Sequence, residues 1–166
     1  IRHCINSKFA DSRIFSRIFV SALTGVASAN VAGPTIHTGL GTDTQRGSMS
    51  YTNFTKLGAI KLAAMRKIFD HVQYLIIDEV SMMGFPLLVQ VNARLNQLKA
   101  HINGPSKDVW YGGINVIFCG DFHQLPPVQA KAIYSPAITH LLLGRNLWTD
   151  FVTFTELTDI VRTKGD

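Results

Sequence analysis

The stretch "YLIIDEVSMM", residues 74–83, constrains this chain more than any other. A short apolar run, rich in β-branched residues, ends abruptly in two adjacent carboxylates. Such a run is the pattern of a strand buried on both faces, as in a parallel sheet. Open α/β sheets bind ligands just beyond the carboxyl ends of their strands, where Asp78 and Glu79 would stand. A carboxylate there can hold a magnesium ion through water, and its neighbour can orient or deprotonate an attacking water. An acidic turn after a strand is the bland alternative, and this stretch alone does not choose between the two.

A second stretch tips the balance. Residues 112–128 read "GGINVIFCGDFHQLPPV", another apolar run that empties into a polar loop. Gly120 permits a tight exit, and Pro126-Pro127 makes the following segment stiff and extended. Gln124 is thereby held at the strand end. Its amide, both donor and acceptor, can contact a terminal phosphate and an attacking water together.

These two motifs, in this order and spacing, resemble the Walker B motif and motif III of the Pif1-like DNA helicases of superfamily 1, which include the helicase part of Helitron-type transposable elements. The resemblance extends over nearly the whole chain. Upstream, "LTGVASANVAGPTIH" (residues 23–37) is similar to motif Ia, with Leu23 where the family usually has proline. The resemblance implies that Thr24, Gly25, Thr35 and His37 grip single-stranded DNA. From the residues alone, His37 reads equally as a partner for a loop carbonyl. Downstream, "LTDIVRT" resembles a segment whose arginine reaches the nucleotide phosphates, here Arg162, with Thr163 in place of the family's glutamine. A relative in the RecD branch of the same superfamily fits the motif III loop less well.

Size and composition agree with a folded, charged-surface domain. The chain has 166 residues, 46% hydrophobic and 16% charged, enough for one domain with a core and unlike a disordered segment. The net charge of +5 favours a polyanionic partner. A loose basic cluster at Arg2, Lys8, Arg13 and Arg17 reads as a solvated face. The two cysteines, Cys4 and Cys119, form no disulfide framework or zinc spacing, which points to a reducing, intracellular compartment. Cys119 sits in an apolar run as a small hydrophobe. No apolar run approaches the roughly 20 residues of a membrane span, and no signal peptide is visible.

The alternation of apolar runs with helical patterns predicts an α/β fold: a mainly parallel sheet flanked on both faces by helices. Strands are expected at Ile18–Leu23, Tyr74–Asp78, Ile114–Cys119 and Val152–Glu156. Leu57, Ile60, Ala64 and Ile68 mark the packed face of one helix, and Leu88, Val91, Leu95, Leu98 and Ile102 that of another. Arg94 within the second is expected to be structural. Trp110 and Tyr111 are expected to pack at a strand entrance rather than stack on bases. Residues 1–8 read as the end of a helix, 41–55 as a polar loop of unreadable function, and 138–148 as a helix.

No G-x-x-x-x-G-K-[ST] phosphate loop occurs in the sequence. The resemblance places that loop directly before Ile1 and a second motor domain after Asp166. Residues 1–166 are therefore expected to form a partial RecA-like P-loop NTPase domain lacking its phosphate-loop strand, running from motif Ia through motif III to the start of motif IV. What the resemblance implies for the intact protein is an ATP-dependent DNA helicase. Asp78 would hold Mg²⁺. Glu79, Gln124 and Arg162 would be catalytic, and all four would bind ATP. The partners would be single-stranded or forked DNA, the state monomeric, and the location intracellular, nuclear in a eukaryote. The pathways implied are DNA repair, recombination and telomere maintenance. The alternative from another class is a catalytically inactive, nucleic-acid-binding remnant of a transposon-derived helicase.

Overall fold

The computed structural model describes residues 17–42, 54–103, 109–135 and 146–158. The run that ends at Asp78 forms the central strand. β1 (Ile18–Ala22), β2 (Tyr74–Asp78) and β3 (Asn115–Phe118) lie parallel in the order β1-β2-β3. Leu75, Ile76 and Ile77 are at most 4% exposed, so β2 is covered on both faces as its uninterrupted apolar pattern requires. The register sets Ala22 opposite Asp78 and Ile77 opposite Phe118, which aligns the carboxyl ends of all three strands. Parallel neighbours need long crossovers. Helices α1 (Gly25–Asn30), α2 (Ile36–Leu40) and α3 (Ala59–Phe69) lie between β1 and β2, and α4 (Phe85–Asn103) lies between β2 and β3.

One sheet face, carrying Phe19, Leu75, Ile77, Val116 and Phe118, joins the hydrophobic cluster that includes α3 and α4. Leu88, Val91, Leu95 and Leu98 are fully buried in it, as their spacing predicts; Ile102, in the last turn of α4, is exposed. The packed face of α3 differs from the expected one. Met65 and Phe69 are buried with Leu62 packed beside them, whereas Ile60 is 90% exposed and Ile68 57%. Two apolar stripes of similar spacing compete on this helix. The one carrying phenylalanine and methionine wins because it buries more area, and Phe69 packs its ring on Phe19 at 4.7 Å between centroids.

β3 is approached through a left-handed turn. Tyr111 (φ 51°), Gly112 (φ 63°) and Gly113 (φ 75°) all have positive φ. Asparagines of α4 hold this turn. Asn92 Oδ1 accepts from Tyr111 N at 2.7 Å, Asn96 Oδ1 accepts from Gly112 N at 2.8 Å, and Asn103 Nδ2 donates to Gly112 O at 2.7 Å. Tyr111 donates its hydroxyl to Leu147 O, and Trp110 packs on Phe151, so both aromatics do serve packing at the strand entrance.

The strand expected at Val152–Glu156 does not form. The segment has no regular secondary structure and, among the described residues, no partner strand, and Phe154 is 70% exposed. Alternation fits any extended chain; only a neighbour with free edge groups turns it into a strand. The helix expected at 138–148 falls mostly outside the described residues; residues 147–151 form a turn nucleated by Asn146, whose Oδ1 accepts from Trp148 N and Thr149 N. Residues 1–8 and most of the 41–55 loop also lie outside the described residues. No helix among the described residues is long and apolar enough to cross a membrane.

Candidate nucleotide site and DNA-facing edge

Beyond Asp78 the backbone turns sharply. Glu79 adopts the left-handed conformation (φ 59°, ψ 42°) and starts a single 3-10 turn, Val80–Met82. A non-glycine residue there is uncommon and stores strain of order 1–3 kcal/mol. Asp78 Oδ1 accepts from Glu79 N at 3.0 Å and steadies the turn. Cys119 N donates to Ile77 O at 2.8 Å and Val80 N to Cys119 O at 2.9 Å, so the ends of β2 and β3 are laced together. That closeness requires Gly120: a Cβ there would stand 2.8 Å from Val80 N. Cys119 is half-buried; burial first, and then the Asp78 charge, pushes its thiol pKa up.

The lacing brings the two sequence motifs into one cleft. Glu79, Ser81, Met82, His123, Gln124, Leu125 and Pro126 line a space of about 460 Å³. A turn fixes the motif III side: Asp121 Oδ1 accepts from His123 N at 2.9 Å and Asp121 O from Gln124 N at 3.0 Å. The backbone hydrogen bond from His123 is the main reason the Asp121 carboxyl lies below the usual carboxylate range. A carboxylate residue and an amide residue thus line the same cleft, a pair that could hold and polarise a water beside a phosphate. The sequence reading assigned no role to Ser81. Its Oγ is fully buried without a hydrogen-bond partner among the described residues, and its place two residues after Glu79 was the available signal.

Asp78 lies outside that cleft, at the strand end opposite Ala22. Its carboxylate could hold an Mg²⁺ through water. The described residues contain no group of three or more His, Cys, Asp or Glu that would cage a metal by themselves.

The four residues assigned to DNA form a separate cluster at the end of β1. Thr24 and Thr35 are the N-caps of α1 and α2: Thr24 Oγ1 accepts from Ala27 N at 3.1 Å and Thr35 Oγ1 from Thr38 N at 3.3 Å. A bridge between Ala22 and Thr35 ties the start of α2 to the strand. Gly25 is exposed, and a side chain there would meet nothing within 4 Å. Gly33 is confined instead; a Cβ would approach Val20 O to 2.2 Å. The His37 ring has no hydrogen-bond partner among the described residues, so the loop-carbonyl role is not realised there, and burial lowers its pKa. Arg162 lies outside the described residues.

A parallel sheet with adjacent carboxylates at one strand end and an amide on the turn after the next has the arrangement of a RecA-like domain. Comparison with known proteins narrows this. The PIF1-like helicase family profile matches residues 11–166, and the chain belongs to that family. It is 32% identical to the ATP-dependent DNA helicase PIF1 of Candida albicans over 158 residues, which is 90% of this chain but 16% of that protein. It is 32% identical to the PIF1 helicase of Xenopus laevis, covering 87% of this chain and 21% of that protein. Among solved structures, Pif1 helicase from Bacteroides in complex with ADP-AlF3 and ssDNA superposes with a TM-score of 0.55 at 30% identity, over 69% of this chain and 24% of that one. A structure of two coordinating Pif1 helicases on forked dsDNA gives a TM-score of 0.55 at 29% identity, over 69% of this chain and 25% of that one. The chain thus spans about a sixth of the Candida relative's length and a quarter of each solved chain.

Proposed function

We propose that this chain is the part of an ATP-dependent DNA helicase motor that positions the attacking water and grips single-stranded DNA. The observation that carries the reading is the shared cleft of Glu79 and Gln124 at the aligned strand ends. Glu79 is the general base or orienter for water. Gln124 contacts the terminal phosphate, and Arg162 supplies positive charge to it. Asp78 holds Mg²⁺ through water; the ion's part is to neutralise phosphate charge. Hydrolysis in the intact protein drives translocation on single-stranded DNA and opening of forks. Roles in repair, recombination and telomere maintenance, a monomeric state and an intracellular or nuclear location belong to the same reading. Family membership and the ADP-AlF3, ssDNA and forked-DNA complexes of the solved relatives support its nucleotide and DNA parts.

The test is Glu79→Gln in a protein that joins this chain to a phosphate loop and a second motor domain. The substitution keeps size and hydrogen bonding and removes the base. Nucleotide affinity should stay while single-turnover hydrolysis falls by about 10²–10⁴. Hydrolysis at the parent rate would reduce Glu79 to an acidic turn residue. Asp78→Ala should instead weaken the Mg²⁺-dependent part of nucleotide binding.

A further inference from the structure

We infer that Arg94 is a positioning residue for DNA binding, which it supports from inside the protein by fixing the pose of α2. This rests on the proposed DNA contact at Thr35 and His37. Helix α2 has five residues, too few to be stable or oriented by its own hydrogen bonds. It is held at its start by the Ala22–Thr35 bridge and along its inner face by Ile36 and Leu40, both fully buried. Its end is the left-handed C-cap Gly41 (φ 59°), and Gly41 O accepts from Arg94 Nη2 at 2.9 Å. The same Nη2 donates to Thr55 O at 3.1 Å, and the guanidinium lies over the Phe54 ring, 4.6 Å from its centroid. Arg94 Nη1 donates to Gln97 Oε1, one turn along α4, which also accepts from Leu57 N at 3.3 Å. One side chain thus joins the end of α2, the lead-in to α3 and the helix α4.

Two features separate positioning from contact. Arg94 is 2% exposed, so DNA does not reach it. Its positive charge and planar fork suit a helix C-terminal carbonyl and a second carbonyl at once, which a lysine cannot match. Losing the fork frees the end of α2, and a helix that holds its binding pose about a tenth of the time binds about tenfold more weakly.

The experiment uses this chain, oligo-dT titrations at several salt concentrations, and amide hydrogen exchange. Arg94→Lys is expected to weaken oligo-dT binding about tenfold with an unchanged salt slope. The amides of Gly39, Gly41 and Thr42, which donate to Thr35 O and His37 O, should exchange faster, while Cys119, bonded to Ile77 O, keeps its rate. A merely structural residue would raise exchange at all four. Phe54→Leu, which loosens the stacking and leaves the arginine, should act in the same direction to a smaller extent, and serves if Arg94→Lys does not fold. Thr35→Ala/His37→Ala is the control. If the control weakens binding and neither the Arg94 nor the Phe54 variant does, the inference fails and the DNA reading stands. If Arg94→Gln, which removes the charge, lowers the salt slope by about 0.7, the arginine touches phosphate itself and positioning is wrong. If the control leaves affinity unchanged, the DNA reading fails and takes the inference with it.

Discussion

Glu79 stores backbone strain at the point where the chemistry is proposed, which gives this residue two separable contributions. Its φ of 59° is a conformation asparagine tolerates better than glutamate. Glu79→Asn is therefore expected to stabilise the chain by about 0.5–1 kcal/mol, read as a higher urea midpoint at constant slope, although it shortens the reach of the side chain into the cleft. An unchanged or lower midpoint would mean that the turn relaxes in solution. His37 offers a second residue-scale outcome. Burial lowers its pKa, so the folded state binds fewer protons than the unfolded state near the ordinary histidine value of about 6.5. Its contribution to stability is complete above that value and declines as pH falls towards the lowered folded pKa. His37→Ala should flatten the slope of stability against pH just below about 6.5. At neutral pH it should also weaken oligo-dT binding without changing the salt slope, because a neutral ring displaces no counterion.

At the scale of elements, what could be read from the sequence was whatever local pattern determines by itself. The largely apolar runs at 18–22, 74–78 and 115–118 are strands, and the Leu88, Val91, Leu95, Leu98 stripe of α4 is buried. Where two solutions share a pattern, tertiary packing chose: Met65 and Phe69 displaced Ile60 and Ile68 on α3, and the alternation at 152–156 has no neighbouring strand among the described residues. Of the site, the adjacency of Glu79 and Gln124 was legible through their motifs, but the lacing through Cys119 and Val80 that makes them neighbours was not. The asparagine strap was illegible too, since polar residues on a helix ordinarily read as a solvated face. Asn92 is 3% exposed and serves the otherwise orphaned amide of Tyr111. Asn92→Ala should cost about 1–3 kcal/mol, the penalty for leaving a buried donor unsatisfied. Asn115 and Val116 amides should then exchange faster as the entrance to β3 loosens. A loss below about 0.5 kcal/mol would show that water replaces the amide oxygen. Gly33→Ala is a sharper test of element packing. Its Cβ would overlap the β1 carbonyl at Val20, so the segment joining α1 to α2 must lift off the strand or the protein must unfold.

For the whole molecule, the decisive balance is between what the strand ends supply and what positions a triphosphate. In the proposed function Glu79 and Gln124 act on the terminal phosphate and its water, but catalysis of phosphoryl transfer is mainly positioning of charged oxygens by donors and metal. In this family's motor domain those donors belong chiefly to the G-x-x-x-x-G-K-[ST] loop, a pattern the 166 residues do not contain. The described surface of the cleft adds apolar Met82, Leu125 and Pro126 rather than cations. The chain by itself is therefore expected to bind single-stranded DNA weakly, aided by its net charge of +5, and not to hydrolyse ATP. The measurement is phosphate release with Mg²⁺, with and without oligo-dT, at protein concentrations above the DNA dissociation constant. Glu79→Gln is the blank that removes contaminating ATPase from consideration. If the parent chain releases phosphate at a rate that DNA stimulates and Glu79→Gln abolishes, the triphosphate is being held by groups other than a phosphate loop. Equal background rates in both, alongside salt-sensitive DNA binding in both, would separate the gripping proposed at the end of β1 from the chemistry proposed at the end of β2. On the proposed reading the two sets act together only when a phosphate-holding segment is supplied, and adding that segment should give a Glu79-dependent rate without altering the DNA affinity expected to depend on Thr35 and His37.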